Sequence, residues 1–186
     1  MSVTLLPQKF DAEELLSIYE NIPNSYDHLD CYQTYVTSLD GNTYTYSVDY
    51  VKDQVKKGTA ARMLNDCDKI NNFFKNSYVE EVYNSVKKCY NISRCRFMVL
   101  DDVKRGYSYH TDASQRLHVP IVTDDDCIVL VEDKLHRLDK IGQLYLVDTT
   151  KKHAAFNLGW LRRIHLVFDL KLENLDNVQY DRKFTH

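Results

Sequence analysis

The chain has 186 residues, 44% of them hydrophobic and 27% charged, with a formal net charge of −3. That suits one globular domain with a real core, and the basic residues come only as scattered pairs such as Lys56-Lys57 and Lys151-Lys152, which leaves no electrostatic footprint for nucleic acid. No apolar run reaches membrane-spanning length, and the N-terminus MSVTLLPQKF has neither a cationic start nor an apolar signal core, so a cytoplasmic protein is expected.

In chain order, residues 11–21 read as a short helix, with Leu15, Leu16 and Tyr19 at helical spacing. Residues 25–50 are rich in Tyr, Thr, Asp and Ser. The alternation Thr43-Tyr44-Thr45-Tyr46-Ser47 after Asp40-Gly41 predicts a strand or hairpin arm. Residues 51–70 read as partly helical, interrupted by Gly58. Residues 78–90 carry Val79, Val82, Tyr83 and Val86 on one stripe, the pattern of an amphipathic helix.

From residue 92 onward strand follows strand: 94–102, 107–112, 115–123, 127–132, 134–138, 143–148, 154–157 and 162–170. Turn signals separate them at Arg105-Gly106, Asp124-Asp125-Asp126 and Ile141-Gly142. Short strands at this spacing indicate a sandwich or barrel. The expected architecture is mainly β with flanking N-terminal helices. It forms one domain over 1–186, with a helical, Tyr-rich part (1–91), a β core (92–171) and a C-terminal tail (172–186). Fourteen tyrosines suit sheet faces as well as pocket walls. The five cysteines, Cys31, Cys67, Cys89, Cys95 and Cys127, include no C-x-x-C pair, which favours reduced thiols over a disulfide framework or a zinc site.

Two segments bear chemistry. Tyr109-His110-Thr111-Asp112 sets a histidine and a carboxylate two residues apart on a predicted strand, so both face one side. His153 lies 43 residues further on. Two imidazoles and one carboxylate are the donor set that holds one face of a ferrous ion and leaves positions open for a co-substrate and O₂. A His-X-Asp pair also occurs by chance, and His153 after Lys151-Lys152 suits a solvated surface equally well. Arg163, ten residues after His153, stands on a hydrophobic strand, where an inward arginine needs an anion. Its planar fork fits a carboxylate. Arg162 is the competing candidate on the opposite face. Arg116 and His118 form a second same-face pair.

These residues resemble a known family. RFMVLDDVKRGYSYHTD, RLHVPIVT, GQLYLVDTTKKHAAFN and RRIHLVFDL, in that order, look like the core of the aspartyl/asparaginyl β-hydroxylase family among the Fe(II)/2-oxoglutarate-dependent oxygenases. The likeness covers roughly the last half of the chain. It implies a double-stranded β-helix (jelly-roll, cupin-like). His110, Asp112 and His153 would be iron ligands and catalytic residues. Arg163 would bind the distal carboxylate of 2-oxoglutarate, and Arg116 with His118 would lie near its chelating end. The implied activity is hydroxylation of an amino acid, free or as a peptide or protein residue of Asp/Asn or Pro type, with release of succinate and CO₂. The vertebrate aspartyl hydroxylase domain lacks the carboxylate ligand, so Asp112 places the chain nearer members with a complete triad. Tyr44, Tyr46, Asn157 and Trp160 are candidate substrate-facing residues. The rival readings are a cupin-like metalloenzyme that needs no oxoacid, which usually offers an HxH strand, and a silent β-helix binding module.

Overall fold

Asp11 turns the chain into helix α1 (Ala12–Glu20) by accepting the backbone N–H groups of Glu13 and Glu14 on its carboxylate. Donors that have no partner within the helix are satisfied this way. Helix α2 (Tyr78–Cys89) carries Glu80 and Glu81 in its first turn and Lys87 and Lys88 in its last, matching the helix dipole at both ends. Its buried stripe is Val79, Val82, Tyr83 and Val86. The Asp11 N–H donates to the Tyr78 hydroxyl at 2.9 Å, tying the two helices together. The computed structural model describes residues 1–23, 32–44 and 65–173.

The strands are β1 (Val3–Lys9), β2 (Gln33–Tyr35), β3 (Thr37–Ser38), β4 (Lys69–Ile70), β5 (Ile92–Leu100), β6 (Gly106–His110), β7 (Arg116–Val122), β8 (Cys127–Val131), β9 (Lys134–His136), β10 (Gln143–Val147), β11 (His153–Asn157) and β12 (Arg163–Leu170). A six-stranded sheet runs in the order β1-β10-β7-β12-β5-β2 and a four-stranded sheet in the order β6-β11-β8-β9, while β3 and β4 pair separately. All pairings are antiparallel. From β5 on the chain winds between the two larger sheets, which gives the jelly-roll, a double-stranded β-helix.

The two faces of the large sheet differ in kind. With period 2, Cys95, Phe97 and Val99 on β5, Leu117, Val119 and Ile121 on β7, and Ile164, Leu166 and Phe168 on β12 share one face. They pack with Leu15, Phe74 and the buried stripe of α2 into the main hydrophobic core. The alternate positions, Arg94 and Arg96, Arg116 and His118, and Arg163, His165 and Asp169, are also largely buried but polar. A smaller apolar cluster of Val129, Val131, Leu138, Tyr145 and Val147 joins the sheets. The main core therefore lies outside the barrel, and its inside is left for chemistry.

The front part of the chain departs from the expectation of a helical segment. β1 joins the large sheet at its edge beside β10, and β2 closes the opposite edge beside β5. Pro7 and a break in register between Leu5 and Lys9 obscure the alternation of β1, and an edge is where a proline costs no ladder hydrogen bond. The expected helix over 51–70 lies mostly outside the described residues, and its end, Lys69–Ile70, is strand β4. Of the expected arm at 43–47, residues 45–47 also lie outside them. Thr43 and Tyr44 are not in a strand: the Thr43 N–H donates to the side chains of Asp40 and Ser38, and the Tyr44 carbonyl accepts the Tyr35 N–H.

Candidate functional site

His110 is the last residue of β6 and His153 the first of β11, and the two pair across the ladder. This register sets their rings 4.4 Å apart. Gly106 makes it possible at the other end of β6, where an added Cβ would lie 2.7 Å from the Ala155 carbonyl oxygen. Asp112 is not on the strand, as the spacing had predicted. It stands in the turn just beyond, where its N–H donates to the Thr149 carbonyl at 2.8 Å. The carboxylate reaches the histidines by that turn rather than by strand alternation.

The hydrogen bonds of the imidazoles prepare them as ligands. Nδ1 of His110 meets the Ser108 carbonyl, and Nδ1 of His153 meets the Lys151 carbonyl at 3.0 Å. A carbonyl only accepts, so each Nδ1 carries the proton and each Nε2 offers a lone pair. Nε2 of His153 lies 3.2 Å from Asp112 Oδ2, and Nε2 of His110 lies 3.7 Å from Oδ1. One donor atom from each of the three residues falls within 4.8 Å of the other two. Ligands about 2.1 Å from a common centre and at right angles are about 3 Å apart, so the donor set fits a divalent transition ion bound on one face. Burial raises the Asp112 carboxyl, but Arg116 and His153 outweigh it and hold it well below the usual carboxylate range. Burial lowers His110 against the pull of Asp112, which favours the neutral, coordinating form.

Of the two adjacent arginines, Arg163 is buried and Arg162 exposed, with the Arg162 guanidinium 5.5 Å from the Tyr19 ring centre. The side chain of Arg163 contacts His165, from Nε to Nε2 at 3.2 Å and from Nη2 to Nδ1 at 3.0 Å. Among the described residues no carboxylate forms an ion pair with it. Burial pushes the guanidinium down to about 10. His118 is buried on β7, its Nδ1 3.4 Å from Nδ1 of His165, and its Nε2 has no hydrogen-bond partner among the described residues. Burial first, then the field of Arg163, hold His118 and His165 far below the ordinary histidine value. Both are neutral. Arg116 sits between two carboxylates, with Nη1 2.7 Å from Asp112 Oδ2 and Nε 3.0 Å from Asp169 Oδ1.

Five residues of this interior were not singled out in the sequence: Arg94, Arg96, Tyr107, His165 and Asp169. His165 and Asp169 had a readable signal, since Arg163, His165 and Asp169 are the polar residues of an otherwise apolar strand and share its inward face. Tyr107, on β6, buries its hydroxyl among the fields of Arg96, Arg163 and Arg116.

The suggested substrate-facing residues lie elsewhere. Tyr44 packs on Phe74 in the outer core, and its hydroxyl accepts the Phe73 N–H. Asn157 braces the backbone by donating to the Leu100 and Leu161 carbonyls, about 13 Å along β11 from His153. Trp160 is exposed, with the Arg105 guanidinium 5.1 Å from its ring centre. Tyr46 is outside the described residues. No helix among the described residues is long and apolar enough to cross a membrane.

Comparison with known proteins matches this arrangement. The structure is similar to a collagen prolyl hydroxylase of Paramecium bursaria Chlorella virus-1, with TM-score 0.50 and 11% identity over 94% of this chain and 91% of that one. It is also similar to an oxidoreductase of the 2OG-Fe(II) oxygenase family from Burkholderia pseudomallei, with TM-score 0.48 and 14% identity over 91% and 84% of the two chains. At 11% identity the first of these likenesses speaks for the fold alone. No curated protein sequence matches the chain. The family model for aspartyl/asparaginyl β-hydroxylase matches residues 62–172, more than half of the chain and the whole stretch that carries the triad and Arg163. The chain belongs to the aspartyl/asparaginyl β-hydroxylase family.

Proposed function

We propose that the chain is a single Fe(II)/2-oxoglutarate-dependent oxygenase domain. It would hydroxylate an amino acid, free or within a peptide or protein, of Asp/Asn or Pro type. The observation that carries this reading is the pairing of two features in one polar interior. His110, Asp112 and His153 converge with their coordinating atoms toward one another, and Arg163 is buried with no carboxylate partner among the described residues. A bare metal site needs only the first. A buried guanidinium without an anion is costly, and the distal carboxylate of an oxoacid co-substrate removes that cost through a charge-assisted contact.

In this reading Nε2 of His110, Nε2 of His153 and a carboxylate oxygen of Asp112 hold the iron. The bound iron supplies the activation of O₂ that unactivated C–H hydroxylation requires, with the oxoacid converted to succinate and CO₂. The chain's own residues orient and shield. Arg163 fixes the far end of the oxoacid, and Arg116 and His118 attend its chelating end. His118 and His165 stay neutral, so they add hydrogen bonding without adding charge. The buried walls exclude water from the reacting atoms.

The test is incubation with Fe(II), ascorbate and 2-oxoglutarate, followed by measurement of succinate. Slow turnover without substrate should vanish in Asp112→Ala and His153→Ala and weaken in Arg163→Ala, with a raised KM for the oxoacid. Amino acids and short peptides are then screened for faster succinate release. Metal binding with no oxoacid consumption would instead identify a metalloenzyme of another kind. Absence of both would identify a binding module.

A further inference from the structure

The buried ion cluster behind the triad holds three arginines and two carboxylates. Asp169 on β12 accepts from Arg94 at 2.5 Å and Arg96 at 3.0 Å, both on β5, and from Arg116 on β7 at 3.0 Å. A cluster serving the fold alone would close on itself. This one does not, because Arg116 divides its donors. Nε goes to Asp169 and Nη1 to Asp112 at 2.7 Å.

Asp112 is placed differently from the two histidines. They are set by β-ladder pairing and by their Nδ1 hydrogen bonds, whereas Asp112 sits past the end of β6 in a turn, with Arg116 Nη1 2.7 Å from its Oδ2. Arg116 stands on a central strand of the large sheet, and its Nε end is anchored by a carboxylate that two further guanidiniums hold. A line of fixed donors thus runs from the large sheet across the barrel to the triad. A guanidinium on Asp112 Oδ2 restrains the group and leaves lone pairs of both oxygens aimed at the two imidazoles, 3.7 Å and 3.2 Å away.

We propose that Arg116 is a positioning residue for the carboxylate ligand, with Asp169 as its anchor, and that it sets metal affinity before any co-substrate arrives. The inference rests on the metal reading above. It is compatible with a further contact between Arg116 and the oxoacid, since a guanidinium has five N–H donors. Two effects oppose each other here. A nearby cation weakens metal binding through charge, while orientation of a ligand strengthens it, and partners that orient metal ligands are worth roughly 10- to 100-fold in affinity. The proposal states that orientation wins.

The experiment is titration of the full chain with Co(II) without oxoacid, following the visible ligand-field bands, with folding of each variant checked by circular dichroism. Arg116→Gln should weaken Co(II) binding about 10-fold or more and move the bands toward those of Asp112→Ala. Asp169→Asn should act in the same direction although it touches no ligand atom. Arg116→Lys, which keeps the charge but loses the rigid planar fork of donors, should fall between wild type and Arg116→Gln. Adding Arg116→Gln to Asp112→Ala should change nothing further. Wild-type affinity and bands in Arg116→Gln, or tighter binding, would overturn the proposal. If Arg116→Gln fails to fold, wild-type affinity in Arg116→Lys overturns it as well. A wild-type chain that binds no Co(II) sinks the metal reading itself, a result separable from failure of the variants.

Discussion

A buried guanidinium flanked by neutral imidazoles makes the interior sensitive to acid. Burial and the charge of Arg163 hold His118 and His165 far below 6.5 in the folded state, while in the unfolded chain they titrate near about 6.5. Above that pH neither state binds protons at these sites. As the pH falls below it, the unfolded chain takes up protons that the folded one refuses, and stability drops by up to about 1.4 kcal/mol per pH unit for each histidine. Urea midpoints between pH 7.5 and 5 should therefore decline, and His165→Gln should make the slope shallower. An unchanged slope would refute the assignment. At the same scale, His110→Ala should weaken Co(II) binding at least about 100-fold, more than loss of an orienting partner does, with little change in fold. Isothermal titration would show it. His110, Asp112, His153 and Arg163 were legible as candidates only in combination, because each of them alone has ordinary structural uses. Asp169 was legible only as a polar residue on an apolar strand, because the partners that give it meaning, Arg94 and Arg96, lie more than seventy positions earlier.

Elements position these residues through register and turns. The pairing of His153 with His110 decides whether the imidazoles meet, and a one-residue slip would turn them to opposite faces. Gly142 performs a comparable task at the start of β10. Its φ of +77° is left-handed, and a Cβ there would lie 2.3 Å from the Phe10 carbonyl oxygen. Gly142→Ala should cost about 2 kcal/mol or more, read as a fall in the thermal midpoint. The Ile141-Gly142 turn was readable in the sequence. Its close contact with the residue before α1 was not, since nothing local announces that β1 lies beside β10. The helices at 11–21 and 78–90 were read to within two residues, because their apolar stripes are local patterns.

The whole molecule separates stability from chemistry across one sheet. Its outer face joins α1 and α2 in the apolar core, and its inner face carries the ion cluster, the neutral histidines and Arg163. The two should respond independently to mutation. Phe168→Ala, on the outer face and fully buried, should cost about 3–5 kcal/mol of stability, measured by denaturant unfolding, while the folded fraction keeps wild-type Co(II) affinity. Asp169→Asn, one residue along the same strand, should lower metal affinity. Loss of Co(II) affinity in Phe168→Ala would show that the two faces are not separable. From the sequence alone came the class of the fold, the two helices, the run of strands after residue 92 and the donor types of the candidate site, since periodicity and side-chain chemistry are carried by near neighbours. Tertiary structure alone decided that Arg163 rather than Arg162 turns inward, that Asp112 reaches the histidines from a turn, that β1 and β2 complete the large sheet, and that Asp169 gathers three arginines. Each of these depends on which distant strands pair and in what register, a choice made by burial of the whole chain at once rather than by any segment of it.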